Sequence, residues 1–470
     1  MKLSSLIAGN PVSGRDLLQV RNPYNGSLAG TVRMAARKDL DAAVAKAREF
    51  TQTPTRYQRA EILEKTRLAL EARREQFARL ITSESGLAIR EARYEVGRTL
   101  DVLRFAAMES LRDDGQIFSG DISPQGKARK IFTTREPLRC AAAITPFNHP
   151  LNQVAHKVAP SIAAGTPLVL KPSEKTPLTA LKFAEVLYEA GLPGEMLSVL
   201  LGPTSEVAEP LVRHPDVEVL AFTGSEAVGK RIANIAGYKK IVLELGGNDP
   251  LIVLNDADLE LAVMLAAEGS FRNSGQRCTA VKRILVEQKV APEFTKRLVS
   301  KTKEYICGDP MHDATRVGTL IDEGAARSLE AVLEEAVISG AKVLCGGRRL
   351  GAQFEPTVIT KVPRDCRMVV SESFGPLAPI ITVRDFDDAL ALANATAYGL
   401  SSAIATTNLN HALKAIKILR CGTVNVNEVP GFRVESSPFG GTKDSGLGIK
   451  EGVIEAIKAY SFVKTFSLPW

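Results

Sequence analysis

The chain of 470 residues has no run of about 18 uninterrupted apolar positions, so a membrane-crossing helix is not expected. Its opening, MKLSSLIAGN, holds too short an apolar stretch for a secretory signal, which leaves a soluble protein of the cytoplasm as the expectation. Cysteine is sparse. Cys140, Cys278, Cys307, Cys345, Cys366 and Cys421 lie far apart, with no CxxC pair and no closely spaced Cys/His cluster. That spacing argues against a zinc site and against a disulfide framework; free thiols and no metal are expected. Charge of one sign is nowhere concentrated either. The 60 Lys and Arg are scattered among 53 Asp and Glu, so the net charge of +7 and the pI near 9.0 point to a local anion site and not to nucleic acid. The fingerprint GxGxxG is absent, and there is no internal repeat. The nearest approach to a GxxxxGK[ST] phosphate loop, Gly224 to Arg231, puts Arg231 where a magnesium-binding Ser or Thr belongs, which argues against an NTPase.

What is present describes an ordinary globular protein: 45% hydrophobic and 24% charged residues, in a length that calls for two or three domains. Apolar spacing predicts helices over 40–50, 57–81 and 90–111, and a β-branched, basic stretch at 127–143 predicts a projecting hairpin. From Cys140, apolar runs at 140–144, 167–170, 196–200, 217–222 and 241–245 alternate with helical stretches at 150–164, 177–190, 204–213 and 226–236. This alternation predicts an α/β fold with a parallel sheet, whose ligands bind beyond the carboxyl ends of the strands. The informative turns are then 146–150, 171–174, 202–203 and 222–225. Beyond Leu251, strands near 280–287, 342–345, 378–383 and 422–426 alternate with helices at 257–270, 291–306, 326–339 and 408–420, predicting a second α/β domain. The tail 459–469 reads as a strand with little core of its own, made to pair with another sheet, in this chain or a second subunit.

Cys278 stands in a polar, turn-prone setting, GQRCTA, where a core cysteine would have apolar neighbours. It is either an inert loop thiol or a nucleophile whose pKa is lowered by the adjacent Arg277. Glu244 ends a strand-forming run beside two glycines. A carboxyl partly desolvated there would be pushed upward, which suits a general base; an ion-pair partner at a strand end is the other reading. In FTGSEAVGK, 222–230, backbone N–H groups at a helix start form either a phosphate cradle or a plain turn.

Seven motifs in order, TPFNHP at 145–150, KPSEKTP at 171–177, FTGS at 222–225, LELGGNDP at 243–250, GQRCTA at 275–280, ESFGP at 372–376 and PFGG at 438–441, resemble the aldehyde dehydrogenase superfamily over essentially the whole chain. The resemblance implies a dinucleotide-binding domain over 1–118 and 138–246, a catalytic domain over 247–445, and an oligomerisation element formed by 119–137 and 459–470. It implies a homodimer or homotetramer. Cys278 is then the nucleophile, Glu244 the base that primes water, and Asn148 with the Cys278 N–H the oxyanion donors. Thr145, Pro146, Phe147, Lys171, Ser173, Glu174, Gly202, Phe222, Thr223, Gly224, Ser225, Val228, Leu245, Gly246, Glu372 and Phe374 are implied for the cofactor. That cofactor is NAD, with NADP possible, since Glu174 would accept from ribose hydroxyls and repel a 2′-phosphate.

A narrower likeness rests on TTREPL at 133–138, 144–160, 274–286 and the final SLPW, which resemble the phosphonoacetaldehyde dehydrogenase branch. The commoner family sequence carries Trp where Phe147 stands and another residue where His149 stands. Phosphonoacetaldehyde oxidised to phosphonoacetate is the implied reaction, with phosphonoformaldehyde, glyceraldehyde 3-phosphate or succinate semialdehyde as alternatives. A cofactor-free Cys-Glu hydrolase is the alternative from another class. An anionic substrate calls for Arg forks and a His, and the candidates are Arg98, His149, Arg277, Thr279 and Arg433. His149 could instead brace the 145–150 turn, and Arg433 could be a solvated loop cation.

Overall fold

The computed structural model describes residues 1–14 and 16–470. Two seven-stranded sheets dominate it. The first runs, edge to edge, Lys240–Glu244, Val219–Thr223, Ala141–Ile144, Leu168–Lys171, Leu197–Val199, Leu6–Ile7 and Asn10–Pro11. Its first five strands are parallel, and the two short N-terminal strands close one edge antiparallel. Registers pair Ile144 with Lys171, Phe222 with Ile144, and Thr223 with Glu244. Four strand ends thus finish level, the fifth, at Val199 opposite Leu170, stops one residue short, and each predicted turn follows one of these ends. Parallel strands need helical crossovers, which Asn152–Ala164, Pro177–Glu189 and Glu226–Ile235 supply.

The second sheet runs Lys342–Cys345, Thr357–Thr360, Leu377–Val383, Val281–Glu287, Asp249–Val253, Ser401–Ala405 and Thr423–Val426, parallel except at its first pair. Three of these strands, Asp249–Val253, Thr357–Thr360 and Ser401–Ala405, are absent from the sequence reading. They are short buried runs, and short apolar runs carry no period that separates strand from helix. Residues 245–248 cross directly from the last strand of the first sheet to a central strand of the second.

The predicted single helix over 57–81 is two, Arg56–Ala72 and Arg74–Ser85, broken at Arg73 with φ −107° and ψ 17°. Buried Leu63, Leu70 and Phe77 recur every seven residues across the break, so the apolar pattern passes straight through it. The hairpin consists of Ile117–Ser119 and Arg129–Pro137, and the tail strand Ser461–Pro469 pairs antiparallel with Arg129–Pro137 of the same chain. Phe132 and Phe466 stack across that pairing, centroids 5.3 Å apart. No helix among the described residues is long and apolar enough to cross a membrane.

Candidate active site

The helix Leu259–Phe271 runs into a tight turn in which Asn273, Ser274 and Gly275 take φ values of 55°, 52° and 69°. Two non-glycine residues in the left-handed region are costly, about 1–3 kcal/mol each, and persist only where the surroundings impose them. Gly275 must be glycine, because a Cβ there would lie 2.1 Å from the Gly375 carbonyl. Buried Gln276 pins the loop: its Nε2 donates to the Thr319 carbonyl at 3.2 Å and its Oε1 accepts from Ile321 N at 2.9 Å. Cys278 follows, half-buried, in the wall of a cavity of about 360 Å³ that also carries Arg98, His149, Arg277, Thr279 and Arg433. All five residues predicted for an anionic substrate therefore share one cavity with the thiol.

Arg277 is not the main charge acting on that thiol. Burial pushes the Cys278 thiol up to about 11, opposed by Lys282 and Arg433 and reinforced by Asp249 and Glu372. The Arg277 guanidinium instead donates to the Glu268 and Gly269 carbonyls, at 3.4 and 2.9 Å. Sequence adjacency put a cation beside the sulfur, and the turn rotated its head group to the end of the preceding helix.

Asn148 meets the loop that carries Cys278 directly. Its Nδ2 donates to the Gln276 carbonyl at 2.9 Å, and its own carbonyl accepts from Asn273 Nδ2 at 2.9 Å. An amide nitrogen carries two N–H groups, so one remains for a ligand atom. Glu244 is 4% exposed, and neither carboxylate oxygen has a hydrogen-bond partner within the chain. Burial, with the nearby Glu451 charge, raises its carboxyl well above the usual range, against Lys157, Arg433 and Lys450. Gly440 of the PFGG motif makes room for it: a Cβ at that residue, whose φ is +152°, would come 2.5 Å from Glu244 Oε1.

The cavity's cations divide into neutralised and free. Arg98 pairs with Glu435 at 2.5 Å and Arg272 with Glu91 at 3.0 Å. Arg433 stands 4.0 Å from Glu435, whose other partners are Arg98 and His156. The Nε of Arg277 and one terminal nitrogen of Arg433 are buried without partners in the chain. Burial lowers both guanidinium pKa values, that of Arg277 to about 10 with help from Arg272. Far from a solvated loop cation, Arg433 lies over the Phe439 ring, 3.8 Å from its centroid. His149 has its Nδ1 3.6 Å from Glu95 Oε2, and burial lowers its pKa.

The cofactor candidates lie along the level strand ends of the first sheet. Thr145, Pro146 and Phe147 follow one strand, Lys171, Ser173 and Glu174 the next, Phe222 to Ser225 a third, and Leu245 and Gly246 the last. Ser225 begins the helix Glu226–Ile235 but its side chain does not cap it, and Val228, exposed, sits one turn in. Gly202 is explained by packing instead, since a Cβ there would press on the Ala35 carbonyl and Val207, both 2.5 Å away. A dinucleotide fits this edge: Thr145 and Thr223 each bury a hydroxyl with no partner in the chain, and a Cβ on Gly246 would fall 2.5 Å from Glu372. Phe374 meets Phe147 edge to face at 6.0 Å. Among the described residues no three His, Cys, Asp or Glu gather as a metal site.

Residues 11–466 match the aldehyde dehydrogenase family. The chain belongs to that family. It is an NAD(P)-dependent aldehyde dehydrogenase. It is 40% identical over 442 residues to a 3-sulfolactaldehyde dehydrogenase of Priestia aryabhattai, covering 94% of this chain and 92% of that one. The structure of aldehyde dehydrogenase 21 from Physcomitrella patens with the reaction product succinate superposes with a TM-score of 0.96 at 38% identity, over 100% of this chain and 98% of that one. An NADP-dependent glyceraldehyde-3-phosphate dehydrogenase from Bacillus halodurans, complexed with NADP, gives 0.97 at 32% identity, over 100% and 99%.

For an aldehyde dehydrogenase, three contributors to this site escaped the sequence reading. Lys282, 2% exposed, donates to Glu372 and to carbonyls of the nucleophile loop. Glu95 Oε1 accepts from Leu151 N and Asn152 N at 2.8 and 3.0 Å, anchoring the helix that begins just after Asn148 and His149. Lys157 and Glu451 form a buried ion pair whose carboxylate acts on Glu244. Lys282 did leave a signal, since a strand reading VKRILVE carries two cations among apolar neighbours.

Proposed function

We propose that the protein oxidises phosphonoacetaldehyde to phosphonoacetate, with the phosphonate seated on Arg277 and Arg433 and the aldehyde carbon at Cys278. The observation that carries this reading is two buried guanidiniums without full partners in the cavity that holds the thiol. One cation without a carboxylate partner and a second that shares Glu435 with Arg98 and His156 suit an anion of up to two charges, and burial strengthens each contact. Arg98 lies at the same wall but is already paired with Glu435, while His149 Nδ1 stands 3.6 Å from Glu95 with no hydrogen bond to it and is open to the same anion. Relatives named for a sulfonate aldehyde, a phosphorylated aldehyde and a succinate product support an anionic aldehyde as the substrate class.

In the chemistry proposed, the Cys278 sulfur gives up its proton to solvent and bonds as thiolate to the aldehyde carbon, and the oxygen, now negative, accepts from the free N–H of Asn148 and from the Cys278 N–H. A bound nicotinamide dinucleotide supplies the acceptor for the hydrogen that leaves this carbon with its electron pair. The carbon is left as a thioester on Cys278. Glu244 then takes a proton from water, whose oxygen bonds to the thioester carbon as the carbon–sulfur bond breaks. A carboxyl raised by burial holds that proton better than an ordinary glutamate would. NAD is favoured over NADP because Lys171 is engaged by Glu174 at 2.9 Å and is not free for a 2′-phosphate. The Arg129–Pro137 and Ser461–Pro469 strands are proposed as the oligomerisation element.

A panel of phosphonoacetaldehyde, a sulfonate aldehyde and an uncharged aldehyde of equal length, each assayed with NAD and NADP, tests this. The phosphonate should show the highest kcat/KM, with NAD. Higher kcat/KM on the sulfonate would keep the anion site and reassign its charge; higher kcat/KM on the uncharged aldehyde would overturn the reading.

A further inference from the structure

Lys282 lies four residues beyond Cys278, in the central strand Val281–Glu287 of the second sheet, with its side chain 2% exposed. A buried ammonium is costly unless every N–H is satisfied. Here the nitrogen meets the Arg277 carbonyl at 2.7 Å, Glu372 Oε1 at 2.8 Å, the Gly247 carbonyl at 3.0 Å and the Cys278 carbonyl at 3.1 Å. One nitrogen therefore joins three segments: the nucleophile loop, the 245–248 crossing between the two sheets, and the loop that carries Glu372. The crossing is packed hard against the nucleophile, since a Cβ on Gly247 would lie 2.5 Å from the Cys278 carbonyl.

Two consequences follow from elementary geometry. The Arg277 carbonyl and the Cys278 N–H belong to one trans peptide and point in opposite directions. Drawing that carbonyl onto Lys282 aims the Cys278 N–H away from it, toward the side where an oxyanion would form. Second, an ammonium has three N–H groups and four acceptors surround this one. Three acceptors are backbone carbonyls held by the fold; Glu372 is the fourth, and its Oε1 also accepts from Gly247 N at 3.1 Å, which ties its loop to the 245–248 crossing.

We propose that Lys282 is the positioning residue of the nucleophile loop, holding the oxyanion-donating peptide of Cys278 in place and keeping a fixed positive charge beside its sulfur. This rests on the reading of Cys278 as nucleophile. The charged groups acting on the sulfur are Lys282 on its own strand, Asp249 on the neighbouring strand, Glu372 on its loop, Arg433 from the 431–437 loop and, more weakly, the adjacent Arg277. Lys282 is the strongest of the three cations, and Asp249 and Glu372 partly cancel it.

The test is the pH dependence of iodoacetamide alkylation without cofactor, in wild type, Lys282→Gln, Lys282→Met, Glu372→Gln and Cys278→Ala, with folding followed by circular dichroism. Lys282→Gln and Lys282→Met should alkylate about tenfold more slowly near neutral pH, with the midpoint moved upward. Their kcat should fall while KM for the aldehyde stays near wild type. Glu372→Gln leaves the lysine with its three carbonyls and should move the midpoint downward. A folded Lys282 variant with the wild-type alkylation profile would overturn the proposal, as would an unmoved midpoint in Glu372→Gln should neither lysine variant fold. If Cys278→Ala is alkylated at the wild-type rate, the reading of Cys278 fails and the proposal falls with it, a result distinct from the other two.

Discussion

Glu84 and Glu244 are buried to the same depth, 1% and 4% exposed, and differ in what they touch. Both oxygens of Glu84 accept from the start of the helix Pro177–Glu189, Oε2 from Leu178 N at 2.7 Å and Oε1 from Thr179 N at 3.0 Å. Helix N-termini present unpaired N–H groups and partial positive charge, so this carboxylate is absorbed into the fold. Glu95 uses one oxygen, Oε1, in this way at the start of the helix Asn152–Ala164, while its Oε2 has no partner in the chain. Glu244 has no such partner, and Gly440 keeps the space beside it open. Burial raises the carboxyl pKa in both, to about 8 for Glu84, so depth alone does not separate scaffold from chemistry. The partner does.

That contrast can be broken at several points. Cys278→Ala should lower turnover by at least about a thousandfold with the melting temperature little changed, because it removes the atom that bonds substrate and leaves the packing intact. Loss of stability with retained turnover would reverse the assignment. Glu244→Gln should slow steady-state turnover by roughly 10²–10⁴. A first burst of reduced cofactor should survive, since the step lost is hydrolysis of the thioester. The base works only when ionised, so wild-type turnover should rise with pH through a midpoint above the ordinary carboxylate range, and the variant should lose that limb. Arg277→Leu should raise KM for the anionic aldehyde by roughly 10–100-fold, the loss of a charge-assisted contact of about 1.5–3 kcal/mol, while sparing an uncharged aldehyde. Equal losses on both would mean that this arginine serves the Glu268 and Gly269 carbonyls alone.

The smallest effect belongs to the capped glutamate. The folded pKa of Glu84, about 8, lies above its ordinary 4.5, so its share of stability is complete below 4.5 and is lost as pH rises toward 8. Glu84→Gln keeps an acceptor for the helix start and cannot titrate. Its melting temperature should therefore fall less than that of wild type across that interval, with kcat unchanged. A parallel pH dependence in the two proteins would show that Glu84 is ionised throughout and that its N–H contacts outweigh its burial.

Much of this was legible in the chain. Apolar runs and helical spacing located the five parallel strands of the first sheet and their crossovers, because strands buried on both faces read as apolar runs between turns. The motifs singled out Glu244 and Asn148 at those strand ends and Cys278 in the loop before a strand of the second sheet, and the anion candidates line one cavity with that thiol. What adjacency could not tell was orientation. Arg277 adjoins Cys278 in sequence but turns its guanidinium to a helix end, and Arg433, read either as an anion ligand or as a solvated loop cation, is stacked on Phe439. Glu84 and Glu244 are alike as letters, and only the arrival of a helix N-terminus from elsewhere in the chain distinguishes them.

The sequence by itself determined the layered α/β architecture and the family, and supplied the candidates for the reactive groups, since local spacing and short motifs carry that information. The tertiary structure decided which charges are neutralised and which are left free: Lys282 under the nucleophile, Glu435 between Arg98 and His156, Glu451 on Lys157. Partners 90 to more than 300 residues apart set those charges, and electrostatic pairing depends on distance in space, which linear order does not encode.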